Sequence, residues 1–169
     1  MGLHASFELR TRHGIPKSGP IGPDLAKTLL HAYFACVSYV DAQIGMMLDA
    51  IDEAGIRDNT IVIVWGDHGW HLGDLGIWTK HTNYEQANRI PIIIVAPGIA
   101  EPGTSSRQMI STVDIFPTLT DLAKLVAPKG PQPIDGVSMV PVLRNPELCV
   151  RNHTYHVYPR ARKLGRAIR

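Results

Sequence analysis

Two short, unbroken apolar runs rich in β-branched residues constrain this chain most. Residues 60–65 read Thr-Ile-Val-Ile-Val-Trp, and residues 90–96 read Ile-Pro-Ile-Ile-Ile-Val-Ala. A strand with one wetted face alternates apolar and polar side chains. An unbroken apolar run of strand length suits a strand covered on both faces, in a parallel or mixed sheet layered between helices. Pro91 stands near the start of its run, where a missing N–H is tolerated.

Helical patterns surround these runs. From residue 24 to 54, Leu25, Leu29, Tyr33, Val37, Val40, Ile44, Met47 and Ile51 recur every three or four positions, the spacing of one helix face. Pro23 and Asp24 suit the first turn and Gly55 the residue past the end. The length predicts a kink near Gly45. A second helix is predicted over 111–125, opened by a capping box of Ser111 and Asp114, with Ile115, Leu119, Leu122 and Leu125 as its apolar face. Thr82 and Glu85 have the same capping spacing. Six of the ten residues 14–23, Gly-Ile-Pro-Lys-Ser-Gly-Pro-Ile-Gly-Pro, are Gly or Pro, which marks a loop. A proline-rich loop holds Pro128, Pro131 and Pro133, and 153–158 reads as a short strand. Strands alternating with helices predict an α/β layered fold.

Composition excludes several classes. With 44% hydrophobic and 19% charged residues the chain has the balance of a folded domain. Its net charge of +2 is no nucleic-acid signature. Five basic residues (Arg160, Arg162, Lys163, Arg166 and Arg169) crowd the last ten positions. Without an amphipathic helical pattern they read as a strand or loop rather than a lipid-binding helix. No run of 18 apolar residues is present, so no membrane span is expected. No signal peptide is visible near Met1, although Gly2 and Ser6 fit the loose myristoylation pattern. Cys36 and Cys149 form no C-x-x-C motif.

The chemistry-bearing segment follows the first apolar run: Trp65-Gly66-Asp67-His68-Gly69-Trp70-His71-Leu72-Gly73-Asp74. Ligands in open α/β sheets bind beyond the carboxyl ends of strands, which is where Asp67 and His68 stand. An adjacent carboxylate and imidazole can face one metal ion, and the flanking glycines permit a sharp turn with room for a ligand. The alternative is an Asp capping a turn beside a hydrogen-bonded His. Lys80 comes twelve residues after His68. Trp70, His71 and His81 are candidates to line a pocket; loop packing and hydrogen bonding are the alternative for each. Asp74 reads as a solvated turn, and Asp41 as a structural acceptor.

The ordered series Asp67-His68-Gly69-Trp70, Lys80, Arg89-Ile90-Pro91, Ala96-Pro97-Gly98, residues 114–123 and Asp135-Gly136-Val137 resembles the sulfatase family of the alkaline-phosphatase-like group. Ser38-Tyr39-Val40-Asp41, Asp67-His68-Gly69-Trp70 and residues 155–160 resemble its iduronate-2-sulfatase branch. The resemblance implies a three-layer α/β/α sandwich with a mixed, mostly parallel sheet, incomplete in this chain. Residues 1–23 would be an N-terminal loop region, 24–145 the C-terminal part of the catalytic domain, and 146–169 the start of a strand-rich segment. It implies Asp67 and His68 as ligands of a divalent cation, usually calcium, and Lys80 as a contact to sulfate. Asp and His alone leave zinc or manganese open, because calcium prefers oxygen ligands.

The departures are equally specific. The family's nucleophile is a formylglycine made in a C/S-x-P-x-R motif. Cys36 is followed by Val37-Ser38-Tyr39-Val40, Cys149 by Val150-Arg151-Asn152-His153, and Ser18-Gly19-Pro20 leads to Gly22 where Arg is required. None qualifies. The family's paired aspartates and its Lys-Pro-His stretch are also missing, so truncation at both ends is expected. The resemblance thus implies a parent enzyme that hydrolyses sulfate esters, on sulfated sugars such as iduronate-2-sulfate, in an exported, periplasmic or lysosomal setting. Two alternatives stand beside it: a phosphatase or phosphodiesterase of the same group, and a non-catalytic remnant or binding module. For this chain alone no turnover and weak calcium binding are expected.

Overall fold

The structure is a computed structural model, and it describes residues 7–160 and 163–169. Gly2, Ser6 and Arg162, singled out above, lie outside the described residues. The chain forms two compact units: residues 7–58 with 68–91, and residues 59–67 with 92–160 and 163–169.

In the first unit, a single helical turn, α1 (Phe7–Arg10), precedes the long helix α2 (Pro23–Glu53). Pro23 opens α2 as predicted, because its missing N–H costs nothing in a first turn. At the other end Gly55 takes φ +66°. Its N–H bonds Asp52 O at 2.9 Å, and the Ile56 N–H bonds Ile51 O at 3.2 Å. These two bonds make a Schellman stop, which needs the left-handed conformation that glycine adopts without strain. The kink predicted at Gly45 is not found. Glycine weakens a helix entropically without clashing, so the hydrogen-bond ladder runs through it.

Residues 1–23 were expected to be loop, yet their described part supplies much of this unit's core. Leu9, Ile15 and Trp78 are buried together, with Ile21, Leu25, Ala26, Leu29, Leu30 and Leu72 packed on them. Arg10 holds the glycine- and proline-rich segment in place. Its Nη1 donates to Pro16 O at 2.7 Å, while Lys17 Nζ donates to Arg10 O at 3.0 Å. The apolar side chains farther along α2, including Phe34, Val37, Val40 and Met47, are exposed. By length and mean hydropathy α2 could cross a bilayer although no apolar run in it is unbroken. The run criterion used on the sequence therefore does not decide the matter. The unit is completed by a small hairpin, β2 (His71–Leu72) with β3 (Trp78–Thr79), and by the turn α3 (Glu85–Asn88).

In the second unit the two apolar runs pair with each other. Strand β1 (Val62–Trp65) lies antiparallel to β4 (Ile92–Val95), with Val62 opposite Val95 and Trp65 opposite Ile92. Among the described residues all three strand pairings are antiparallel, and each strand has one partner. The parallel component of the expected sheet is therefore not seen. Nor are the runs buried on both faces: Trp65, Ile93 and Val95 are exposed. An apolar run marks a strand that could be covered, but covering requires neighbours.

The predicted helix over 111–125 is shorter than its pattern. A 3-10 turn at Thr112–Asp114 leads into α4 (Ile115–Leu122). Of the predicted face Ile115 is buried, Leu119 is exposed, and Leu125 lies past the end, also exposed. Asp114 holds the turn by accepting the Ser111 N–H at 2.8 Å, one arm of the predicted capping box. Helix α5 (Val140–Arg144) follows, then the hairpin β5 (Tyr155–Arg160) with β6 (Lys163–Ile168). Of the basic residues near the end, Arg160 closes β5 and Lys163 and Arg166 lie in β6, consistent with the strand or loop expected. His153 and His156, for which the sequence offered no partner, contact Asn152 and Thr154.

Asp114 organises this unit. It is fully buried and also accepts the Val137 N–H at 2.9 Å and Arg151 Nη2 at 2.5 Å. That hydrogen bond raises the Arg151 pKa above its ordinary value. A Cβ on Gly136 would stand 1.9 Å from Val113 O, so glycine there lets the two segments meet. Thr118, also fully buried, accepts the Met139 N–H at 2.8 Å.

Candidate functional site

The chain passes from the second unit to the first between Asp67 and His68. Asp67 is exposed in the loop after β1, and His68 is half-buried. The His68 Nδ1 lies 3.0 Å from Gly69 O. A carbonyl oxygen only accepts, so this contact assigns the proton to Nδ1 and leaves the lone pair on Nε2, the form in which an imidazole binds a metal. The donor chemistry of Asp67 and His68 therefore fits two ligands of a divalent cation. It does not fit a whole calcium shell of six to eight oxygens, and no group of three or more His, Cys, Asp or Glu suited to a metal occurs among the described residues.

Gly69 has a use the sequence reading missed. A Cβ there would lie 2.0 Å from Gln86 O, and the Gly69 N–H donates to Ala87 O at 2.7 Å. The space was expected to admit a ligand, yet the backbone of α3 fills it.

Around His68 the first unit gathers several of the predicted residues. The His68 ring stacks on Trp70 with centroids 5.9 Å apart, and Lys80 Nζ stands 5.2 Å from the Trp70 ring centroid. Lys80 is 28% exposed and donates to Glu8 Oε1 at 3.0 Å; His81 Nε2 lies 3.1 Å from Glu8 Oε2. The hydrogen bond from Lys80 comes first among the causes that hold the Glu8 carboxyl below its ordinary pKa. An ammonium has three donors, so one carboxylate oxygen does not exhaust Lys80. Glu8 was not foreseen. It lies 72 residues from Lys80, and no local spacing signals such a pair.

His71 requires correction. His71 is 0% exposed and lines no open pocket. Its Nδ1 meets Asp74 Oδ2 at 2.8 Å and its Nε2 meets Thr82 Oγ1 at 2.7 Å. The Thr82 hydroxyl in turn accepts the Tyr84 N–H at 3.2 Å. Asp74 is exposed in the turn, as expected, and one of its oxygens also binds His71. The capping box expected between Thr82 and Glu85 does not form: Tyr84 precedes α3, and the Thr82 hydroxyl is engaged by His71.

The hairpin between these residues is tightly wound. Gly73, Leu75, Gly76 and Thr79 all have positive φ. For a β-branched residue such as Thr79, at +73°, this conformation costs about 1–3 kcal/mol and persists only where surrounding contacts impose it. The two cysteines lie apart from these residues in the sequence and carry free thiols. Cys36 is exposed on α2, and Cys149 is exposed with Sγ donating to Arg151 O at 3.1 Å.

The sulfatase family profile covers residues 2–125, and the chain belongs to that family. It is similar to human iduronate 2-sulfatase, 35% identical over an alignment 140 residues long that covers 68% of this chain and 26% of that protein. The choline-sulfatase of Rhizobium meliloti is 38% identical over 116 residues, 69% of this chain and 22% of that protein. Among solved structures, one captured with its substrate D-glucosamine-2-N,6-O-disulfate superposes with a TM-score of 0.73 at 33% identity, covering 81% of this chain and 29% of that one. A phosphonate monoester hydrolase from Silicibacter pomeroyi gives 0.73 at 32% identity, covering 92% and 31%. The chain therefore spans about a fifth to a third of the length of these relatives.

Proposed function

We propose that the chain is part of a hydrolase for sulfate esters of sugars, and that it carries the cation-and-lysine side of the active site. The observation that carries this reading is the placement of Lys80 beside Trp70 and His68 within one unit, in a chain of the sulfatase family. Asp67 and His68 would hold a divalent cation, calcium in the family's usage, with Nε2 as the imidazole donor. When bound, such a cation stabilises negative charge on a sulfate oxygen. Lys80 would face the ester oxygen, where its ammonium offsets the charge that develops as the S–O bond breaks. Trp70 flanks the ammonium and shields one side from water; His81 would stand at the edge of the same pocket. Residues 24–145 would belong to the catalytic three-layer α/β/α sandwich, in which further strands cover β1 and β4, and 146–169 to a strand-rich segment. Helix α2 belongs to that domain in this reading, because Leu25, Ala26, Leu29 and Leu30 pack on the core. In this reading α2 is a helix of the catalytic domain rather than a membrane span, and the partner is a sulfated sugar rather than a nucleic acid.

The names of the relatives vary in the alcohol, from iduronate to choline to N-acetylglucosamine, and agree on sulfate. The sulfate contacts are therefore the part assigned here, with iduronate-2-sulfate as the first sugar to try. The test is a protein that joins this chain to a segment bearing a C-x-P-x-R motif and the paired aspartates. In it, Lys80→Ala lowers turnover of an aryl sulfate by about 10²–10³-fold, as loss of one preorganised charge does. Unchanged turnover removes Lys80 from the mechanism. The likeness to a phosphonate monoester hydrolase favours a second reading, hydrolysis of a phosphorus ester, and preference for an aryl phosphonate over the aryl sulfate would select it.

A further inference from the structure

Lys80 is bracketed by one buried side chain. On one side, His71 stands directly opposite Thr79, the residue before Lys80, in the β2–β3 register. On the other side, His71 Nε2 holds Thr82, two residues after Lys80, at 2.7 Å. The third arm, from Nδ1 to Asp74 at 2.8 Å, fixes the ring across the turn. With the proton on Nδ1, every hydrogen bond has a direction: Nδ1 donates to the Asp74 carboxylate, Thr82 O–H donates to Nε2, and Tyr84 N–H donates to Thr82. Between the two grips the backbone does what it would not do alone. Thr79 takes φ +73°, and its hydroxyl is buried without a hydrogen-bond partner. The Thr82 N–H closes a tight turn onto Lys80 O at 2.8 Å.

We propose that His71 is the positioning residue for Lys80: with Asp74 and Thr82 it forms a buried clasp that imposes the strained Thr79 backbone and so aims the ammonium at Glu8 and across Trp70. A free hairpin of this sequence relaxes Thr79 to negative φ, and the residue that follows then points elsewhere. The inference concerns the fixed direction of Lys80, and its catalytic meaning rests on the sulfate reading above.

The test reads Lys80 directly, in the whole 169-residue chain, as the rate at which an amine-reactive acetyl ester labels each lysine, resolved by mass spectrometry. In wild type the pairing with Glu8 slows Lys80. His71→Ala is expected to speed Lys80 labelling about two- to fivefold, the range an ion pair of partial exposure represents. Lys27, on α2, serves as the internal control and keeps its rate. Should His71→Ala unfold the chain, all lysines accelerate together, and Thr82→Val, which removes one arm of the clasp at constant shape, replaces it. Thr82→Ser restores the hydroxyl and the wild-type rate. A folded variant lacking the clasp whose Lys80 is labelled at the wild-type rate overturns the proposal. Inorganic sulfate added to wild type examines the separate reading: protection of Lys80 supports a sulfate contact, and its absence removes that contact while leaving the clasp to be judged on the variants.

Discussion

Each unit of this protein is built around a fully buried polar side chain, and the two differ in where their partners come from. His71 in the first unit is satisfied by Asp74 and Thr82, three and eleven residues away. Asp114 in the second is satisfied by Ser111, Val137 and Arg151, the last two 23 and 37 residues away. A local clasp shapes one hairpin. A long-range hub decides whether separate segments meet at all. The same physical requirement, that a buried polar group finds partners, therefore produces a precisely bent loop in one case and the tertiary arrangement in the other.

The difference can be broken most forcefully at Asp114. Asp114→Ala strands the Arg151 guanidinium and the Ser111 and Val137 N–H groups, and should destabilise the second unit by about 3–5 kcal/mol, the cost of orphaning one member of a buried pair. Denaturant melts with hydrogen exchange resolved by segment measure it. If the hub reading is right, protection is lost at Val137 and Met139 together. His71→Ala should cost less, about 1–3 kcal/mol for the partners it leaves unmet, and the loss should stay within 71–88. Spread of the effect beyond that hairpin and α3 would erase the contrast between clasp and hub.

Two smaller effects sharpen the picture of the hairpin. Leu75 is exposed with φ +55°. Leu75→Gly should raise stability by up to about 1 kcal/mol, the relief of a left-handed residue less the entropy of glycine. A destabilised variant would mean that its side chain packs more than its exposure indicates. The smallest effect concerns Glu8, whose pKa is depressed below 4.5, first by the hydrogen bond from Lys80. A depressed acid contributes stability that is present above its ordinary value and is lost as pH falls through the folded pKa. The pairing with Lys80 and His81 should thus hold above pH 4.5 and fail on acidification below it, by at most about 1 kcal/mol for a pair with this exposure. Glu8→Gln should remove that part of the acid dependence, as followed by Lys80 labelling.

Much of the candidate site was legible because its signals are local. Asp67, His68 and Lys80 stand at fixed spacing after an apolar run, and Trp70 lies two residues from His68. What the spacing could not show is that His71 turns inward. A histidine has no periodic signature in a ten-residue loop, and burial depends on what packs over it. Glu8 and Arg10 were illegible for the opposite reason, since their partners are carbonyls and cations that chain proximity does not select. A glycine- and proline-rich stretch looked like plain loop, yet Ile15 and Ile21 within it reach the core.

By itself the sequence determined the long helix, the two apolar strands and the family. Pro23 and Gly55 bound the long helix, because one lacks an N–H and the other tolerates positive φ. The two β-branched runs are strands, and the ordered motifs place the chain among sulfatases. Tertiary structure alone decided that the runs pair antiparallel, that Gly69 and Gly136 make room for backbone rather than ligand, and that His71 and Asp114 are anchors. Those outcomes depend on which distant groups arrive to satisfy a buried atom or fill a missing Cβ, and such arrivals are a property of packing that no local pattern encodes.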